Sequence, residues 1–355
     1  MKPDYKNCQL NLVSSIEKHY NERLAFFDSI EEVDKMLEGK KHIFLIVLDG
    51  LGSKIIEKNL KEDSFIRTHY FKTLSTLFPS TTTCVTSAII SGKLPNETGY
   101  YGWHQYFKEF GRDIIIFKNQ DYYTKERLSV NLPLSHKRFY DKYDNISTYT
   151  LFPNFSIDNG YKNFHAQVDK MIDIASQSDE SFTYCYYDDP DKTMHSKGTM
   201  AKKTRKVIEK LDKELARLKA NIKDDSIVFV TADHGLIDTE TIYLEDYPDI
   251  IDQLELKPSI EARCTTFKTN NPSRFKELFD HYFPIGFELY TIDEYMKSDY
   301  VCKFSREFKF QEYLFDFVSV SNDIYNFELR RTEDKKKAHH AGCTEDEMLV
   351  PLVIF

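Results

Sequence analysis

Hydrophobic residues along this chain fall into short unbroken runs separated by polar, helix-spaced stretches. HIFLIVL, residues 42–48, is followed at once by Asp49 and Gly50. An aliphatic, β-branched run with charge before it and glycine after it is the pattern of a strand buried on both faces of a parallel sheet. ISTYTLF (146–152) and FTYCYY (182–187) have strand composition, and SIVFVTADHG (226–235) repeats the first pattern. MLVPLVIF (348–355) is a further apolar run, in which Pro351 points to a sheet edge or a bulge. Between the runs, the spacing predicts helices over 161–177 and 200–222. In the second, Val207, Ile208, Leu211, Leu215 and Leu218 recur at helical intervals. Strands alternating with helices predict an α/β fold with a mostly parallel sheet flanked by helices.

Two stretches break the alternation. Residues 1–41 read as polar helical segments, with Ser29 as a cap ahead of a helix running to Leu37. Residues 241–337, rich in Phe, Tyr and charge, carry only short strand candidates at 264–268 and 315–321. They read as an inserted α+β subdomain. The predicted organisation is an N-terminal helical extension (1–41), a core (42–240 and 338–355) and an insertion (241–337). A chain of 355 residues has room for two domains, or for one large domain with such an insertion.

Composition narrows the function classes. With 41% hydrophobic and 30% charged residues, bulk disorder is excluded. The longest wholly apolar run is Ile43 to Leu48, far short of the ~20 residues a membrane span needs. A net charge of -9 argues against broad binding to a nucleic-acid backbone. The six cysteines form no C-x-x-C pair, and the N-terminus shows no apolar leader, so free thiols in a reducing cytoplasm are expected.

Three strand candidates end in aspartate: Asp49, Asp191 and Asp233. Open α/β sheets bind ligands at such carboxyl ends, although aspartate there is also ordinary turn chemistry. Their companions add weight. Asp191 and His195 are four residues apart, on one face of a helical turn. Asp233-His234-Gly235 places two ligand types at one strand end. His339-His340 follows three lysines and reads equally well as an exposed basic loop. In 78–104, Pro79 is followed by Ser80 and Thr81, which can cap a short helix ending at Gly92, so a first-turn hydroxyl would sit where an anion is favoured. Eight of the 12 glycines lie in or beside these segments, as tight backbone around a shared site requires. His42 and His104 remain as further candidates, while His19, His69, His136, His165 and His281 read as surface or boundary residues.

Taken in order, IVLDGLG (46–52), FPSTTTCVTSAIISGKLPNETGYYGW (78–103), DDPDKTMHSKG (188–198), VTADHG (230–235) and HHAGCTEDEMLVPL (339–352) resemble the type I phosphodiesterase / nucleotide pyrophosphatase branch of the alkaline phosphatase superfamily. The resemblance spans about 42–240 and 338–355. It implies an alkaline-phosphatase-like core with a small cap-like insertion, and hydrolysis of a small-molecule phosphoester. It also implies two divalent metal ions, usually zinc, with manganese or iron as alternatives. The first ion would take Asp49, Thr82, Asp233 and His234, and the second Asp191, His195 and His340. Thr82 would be the nucleophile, counted ten residues back from Gly92, with Thr81 as the fallback. Val85 stands where many eukaryotic members carry asparagine, a departure that bears on nucleotide pyrophosphatase activity more than on phosphoester hydrolysis.

Three carboxylates against two dications leave a charge of +1 to attract a phosphate, and metal coordination makes a threonine hydroxyl a workable nucleophile. The sulfatase signature C-x-P-x-R is missing at Cys84-Val85-Thr86. A monoesterase or phosphomutase would need a guanidinium, for which Arg112, Arg127 and Arg263 are candidates. A catalytically silent binding relative is the remaining alternative. Tyr100, Tyr101 and Trp103 either line a substrate pocket or pack in the interior.

Overall fold

The structure is a computed structural model that describes all residues except 21–26, 135–136, 155–159, 305–310 and 334. His136 lies outside the described residues.

The main sheet has six strands, in the order Tyr70–Ser75, Leu349–Ile354, Ser226–Thr231, His42–Leu48, Ser181–Tyr187 and Ser147–Leu151. The last four run parallel. His42–Leu48 is buried along its whole length, as its unbroken apolar run requires. It pairs His42 with both Ser181 and Ser226. This level register delivers Asp49, Asp191 and Asp233 to one end of the sheet. Helices Phe164–Ala175 and Lys202–Asn221 pack alongside, the second burying Ile208, Leu211, Leu215 and Leu218.

Some features differ from the sequence reading. Leu349–Ile354 is an inner strand, antiparallel to both neighbours, and the irregularity expected of Pro351 is a register shift at Leu352/Val353. The strand Tyr70–Ser75 gives no sequence signal, because only its last two residues are buried. Ser29 does not cap the helix Glu31–Leu37; Ile30 holds that position, and the Ser29 hydroxyl donates to Asp34. The helix Gln9–His19, polar in composition, is buried from Gln9 to Glu17. Its polar groups are spent on backbone: Ser14 donates to the Phe27 carbonyl at 2.7 Å and Gln9 to that of Ala232 at 3.1 Å. Burying such groups is tolerable when they are paired.

A second, antiparallel sheet has seven short strands, ordered Phe287–Thr291, Phe317–Ser321, Cys264–Phe267, Ser259–Ile260, His104–Phe107, Arg112–Ile115 and Gln120–Asp121. Residues 104–121 and 259–321 therefore share one sheet. Helix Pro272–Tyr282 covers it with Phe275 and Phe279, which meet Phe267, Phe317 and Phe327 in an aromatic cluster separate from the main core.

Candidate active site

The glycines at the strand ends are dictated by space. Gly50 has φ +74°, and a Cβ there would lie 2.9 Å from Asp191 Cβ. A Cβ on Gly235 would lie 1.9 Å from the Asp346 carbonyl oxygen. Because side chains are excluded here, three acidic strand ends can converge.

The Asp233 Oδ1 accepts from the backbone N–H groups of Gly50 (3.0 Å) and His234 (2.9 Å), while its Oδ2 has no hydrogen-bond partner. One Asp49 oxygen accepts from the Tyr186 hydroxyl. His234 Nε2 lies 3.5 Å from both Asp49 Oδ1 and Asp233 Oδ2. Thr82 opens the helix Thr82–Ser91. Its Oγ1 is 3.1 Å from His234 Nε2 and 3.4 Å from each Asp49 oxygen. On the other side, Asp191 Oδ1 lies 3.3 Å from His195 Nε2 and 3.9 Å from His340 Nε2. The rings of His234 and His340 stack at 4.0 Å.

All seven residues named from the resemblance thus meet at one place. Two groups have donor atoms within 4.8 Å of one another: Asp49, Asp233 and His234, and Asp191, His234 and His340. His234 is common to both, so the division between two ions is less sharp than the assignment from the resemblance. Thr81, the fallback, is turned away: its hydroxyl donates to Glu261 at 2.6 Å.

The residues fit divalent cations. Among the described residues, no lysine or arginine forms an ion pair with the three buried aspartates, and Asp191 Oδ1, Asp233 Oδ2 and His340 Nδ1 are buried without a hydrogen bond. Burial, reinforced by Asp233 and Asp191, pushes the Asp49 carboxyl well above the ordinary carboxylate range. Burial likewise raises Asp191 to about 7 and drives His195 and His340 well below the ordinary imidazole value. Such a cluster needs counter-charge to hold ionised carboxylates beside neutral imidazoles. The tautomers suit this. His195 Nδ1 donates to the Ala338 carbonyl (2.6 Å) and His234 Nδ1 to that of Gly235 (3.1 Å), leaving each Nε2 lone pair facing the carboxylates.

Other candidates resolve differently. Arg263 is fully buried, forking onto Glu347 at 2.6 and 2.8 Å. Arg112 pairs with Glu126 and Asp121, and Arg127 is exposed. None of the three guanidiniums joins the cluster. Tyr100 and Tyr101 are interior, whereas Trp103 is half-buried, with Lys118 Nζ 5.3 Å from its ring centroid. His42 is held by Ser181 and His104 by Asp113. His339, read equally as exposed, is buried and bonded to Thr239.

The sequence reading missed Tyr186 and Glu261. Tyr186 lies near the carboxyl end of its strand, a position that could have flagged it. Glu261 touches Thr81 across 180 residues and carries no local signal.

The family model for type I phosphodiesterase / nucleotide pyrophosphatase matches residues 43–282. No curated protein sequence matches. Solved structures with a similar fold include the inactive murine ectonucleotide pyrophosphatase / phosphodiesterase 5 in complex with AMP, at 14% identity and TM-score 0.67, covering 88% of this chain and 87% of that one. The human protein of the same name has 14% identity and TM-score 0.67, with 87% of each chain covered.

Proposed function

The chain belongs to the type I phosphodiesterase / nucleotide pyrophosphatase family and is a hydrolase acting on phosphoester bonds, and from that premise we propose that it is a metal-dependent phosphodiesterase whose nucleophile is Thr82. The observation that carries this reading is the position of Thr82 Oγ1, at the start of a ten-residue helix and within 3.4 Å of both Asp49 oxygens and of His234 Nε2.

Asp49, Thr82, Asp233 and His234 would hold one divalent ion and Asp191, His195 and His340 a second. Nitrogen and oxygen donors without thiolate suit zinc, with manganese or iron as alternatives. The ions would neutralise the carboxylates and favour ionisation of the threonine hydroxyl. Thr82 Oγ attacks phosphorus, its bond to phosphorus forming as the bond to the leaving alcohol breaks. The helix N-terminus favours the charge on the non-bridging oxygens. Water then cleaves the phosphothreonine ester. Tyr186 holds Asp49 in orientation, and the backbone N–H groups of Gly50 and His234 do so for Asp233.

A diester is favoured over a monoester because, of the three candidate guanidiniums, Arg263 and Arg112 are committed to Glu347 and to Glu126, and Arg127 is exposed. The AMP bound to the structurally similar murine protein supports a nucleotide-type substrate. The burial of Cys8, Cys84, Cys185, Cys264 and Cys343 as free thiols supports a cytoplasmic location. The proposed organisation keeps an extension at 1–41, a core at 42–240 and 338–355, and a cap-like insertion at 241–337 whose sheet recruits 104–121.

The test is hydrolysis of bis(4-nitrophenyl) phosphate with zinc and with manganese, comparing wild type with Thr82→Ala and Thr81→Ala. Thr82→Ala should lose several powers of ten in kcat, as nucleophile removal does, and Thr81→Ala far less. Retention of more than about a tenth of wild-type kcat by Thr82→Ala rules out the threonine mechanism.

A further inference from the structure

A cavity of ≈ 110 Å³ opens between the second sheet and the strand Tyr325–Glu328. Two carboxylates in its wall each stand one residue removed from the reacting machinery. Glu261 Oε1 accepts from the Thr81 hydroxyl (2.6 Å) and the Trp103 N–H (2.7 Å), next to Thr82. Glu328 Oε1 lies 3.9 Å from Nε2 of His339, next to His340. That imidazole is 4% exposed, and its Nε2 has no hydrogen bond. Among the described residues, nothing bonds to Glu261 Oε2 or donates a hydrogen bond to Glu328.

His104 completes the wall. Its Nδ1 donates to Asp113 at 3.0 Å, and its ring stacks on Tyr122 at 3.6 Å. This fixes the ring and leaves Nε2 without a protein partner. The cavity therefore presents three unused acceptors on a rigid frame. An engineered cavity of about 150 Å³ holds one benzene ring, so this volume suits a group of a few atoms and is too small for a nucleobase. Two carboxylates disfavour an anion. Lys125, with its ammonium 4.5 Å from the Tyr122 centroid, already supplies a cation, so neutral hydroxyl donors match the wall better than a second ammonium.

We propose that this cavity is the substrate subsite beside the reacting phosphorus and that it takes a vicinal diol, a reading that rests on Thr82 being the reactive centre. Glu261 Oε2 and Glu328 accept the two O–H groups, with His104 Nε2 as a third contact. A diol of this kind occurs both in ribose and in glycerol.

The experiment uses the metal-loaded full chain and four 4-nitrophenyl diesters in matched pairs: glyceryl against n-propyl, and uridine 5′ against 2′-deoxyuridine 5′. Within at least one pair, the diol should have a kcat/KM about tenfold or more higher. The pair showing it identifies the source as glycerol or ribose, and both showing it means that the diol alone is read. Glu328→Gln and Glu261→Gln should bring the ratio close to one. In Glu261→Gln the amide oxygen can still accept from Thr81, so the nucleophile helix keeps its anchor. A wild-type ratio near one in both pairs, or a ratio unchanged by Glu328→Gln, overturns the proposal. If no diester is cleaved, the catalytic reading fails separately. Calorimetry with glycerol 3-phosphate against n-propyl phosphate then decides the subsite, equal affinities overturning it.

Discussion

Two clusters of buried charge flank the segment 340–347, and they differ in how completely their valences are met. At one end, Glu347 and Arg263 are both fully buried. The Glu347 carboxylate accepts from Arg263 twice, from the backbone N–H of Gly342 and of Thr344, and from the Thr344 hydroxyl. The remaining guanidinium arm donates to the Tyr325 carbonyl at 2.7 Å. At the other end, Asp49, Asp191 and Asp233 face three histidines with no cationic side chain paired to them, and several lone pairs go unused. Burial of charge is common to both, so burial alone does not mark a reactive site. Unmet valence does: the satisfied pair links the two sheets, and the unsatisfied cluster keeps donor atoms that fit cations.

The largest expected effect lies in the unsatisfied cluster. Asp233→Ala or His340→Ala should remove metal and activity together, with kcat/KM falling at least a hundredfold. Elemental analysis should show about two divalent ions in wild type and fewer in each variant. Wild-type protein that takes up neither zinc nor manganese would erase the contrast between the clusters.

The satisfied pair should respond in stability. Removing one partner with Arg263→Ala strands Glu347 and should cost about 3–5 kcal/mol, read by denaturant unfolding. Replacing both partners by apolar residues of similar volume should cost less. A loss below about 1 kcal/mol in Arg263→Ala would mean that the pair does not hold the sheets.

The pH dependence separates the clusters further. Asp191, raised from an ordinary aspartate value to about 7, keeps its proton in the folded protein where the unfolded chain has lost it. Its burial therefore carries no penalty below the unfolded value, and the penalty grows as pH rises toward about 7. In chelator-treated protein, the Tm advantage of Asp191→Asn over wild type should grow between about pH 4 and 7, a difference that cancels the opposite slope of the neutral His195 and His340, and added zinc should flatten that profile. An unchanged slope with metal would place the titration elsewhere.

The smallest effect concerns charge at phosphorus. With Arg263 held by Glu347, an aryl diester should have a higher kcat/KM than the matched monoester. A tenfold preference for the monoester, equivalent to about 1.4 kcal/mol, would show that another cation reaches the site. Lys336, whose charge acts on Asp191, His195 and His340, would then be the residue to replace.

The same contrast explains what could be read from the chain. Asp49, Asp191, Asp233 and His234 sit at the ends of long apolar runs, and a parallel sheet brings such ends level, so local pattern carries them. Glu261 and the strands of the second sheet depend on antiparallel pairing between short segments, such as Ser259–Ile260 with His104. Segments that short have no periodicity to read. Arg263 reads in the sequence as a candidate phosphate-binding guanidinium, and only the fold reveals Glu347 around it.

Gln9 has a consequence for how the site comes apart. Its amide donates to the carbonyls of Ala232 and Asp233 at 3.1 and 3.3 Å, and the Thr76 hydroxyl joins it on Asp233. The turn carrying Asp233 and His234 is thereby tied to a helix more than 200 residues away in sequence. Local opening proceeds in cooperative units, and here the unit crosses the sheet. The amides of Asp233 to Gly235 should exchange with deuterium in step with those of Gln9–His19. Undocking of that helix should loosen the site before the parallel strands beneath it open.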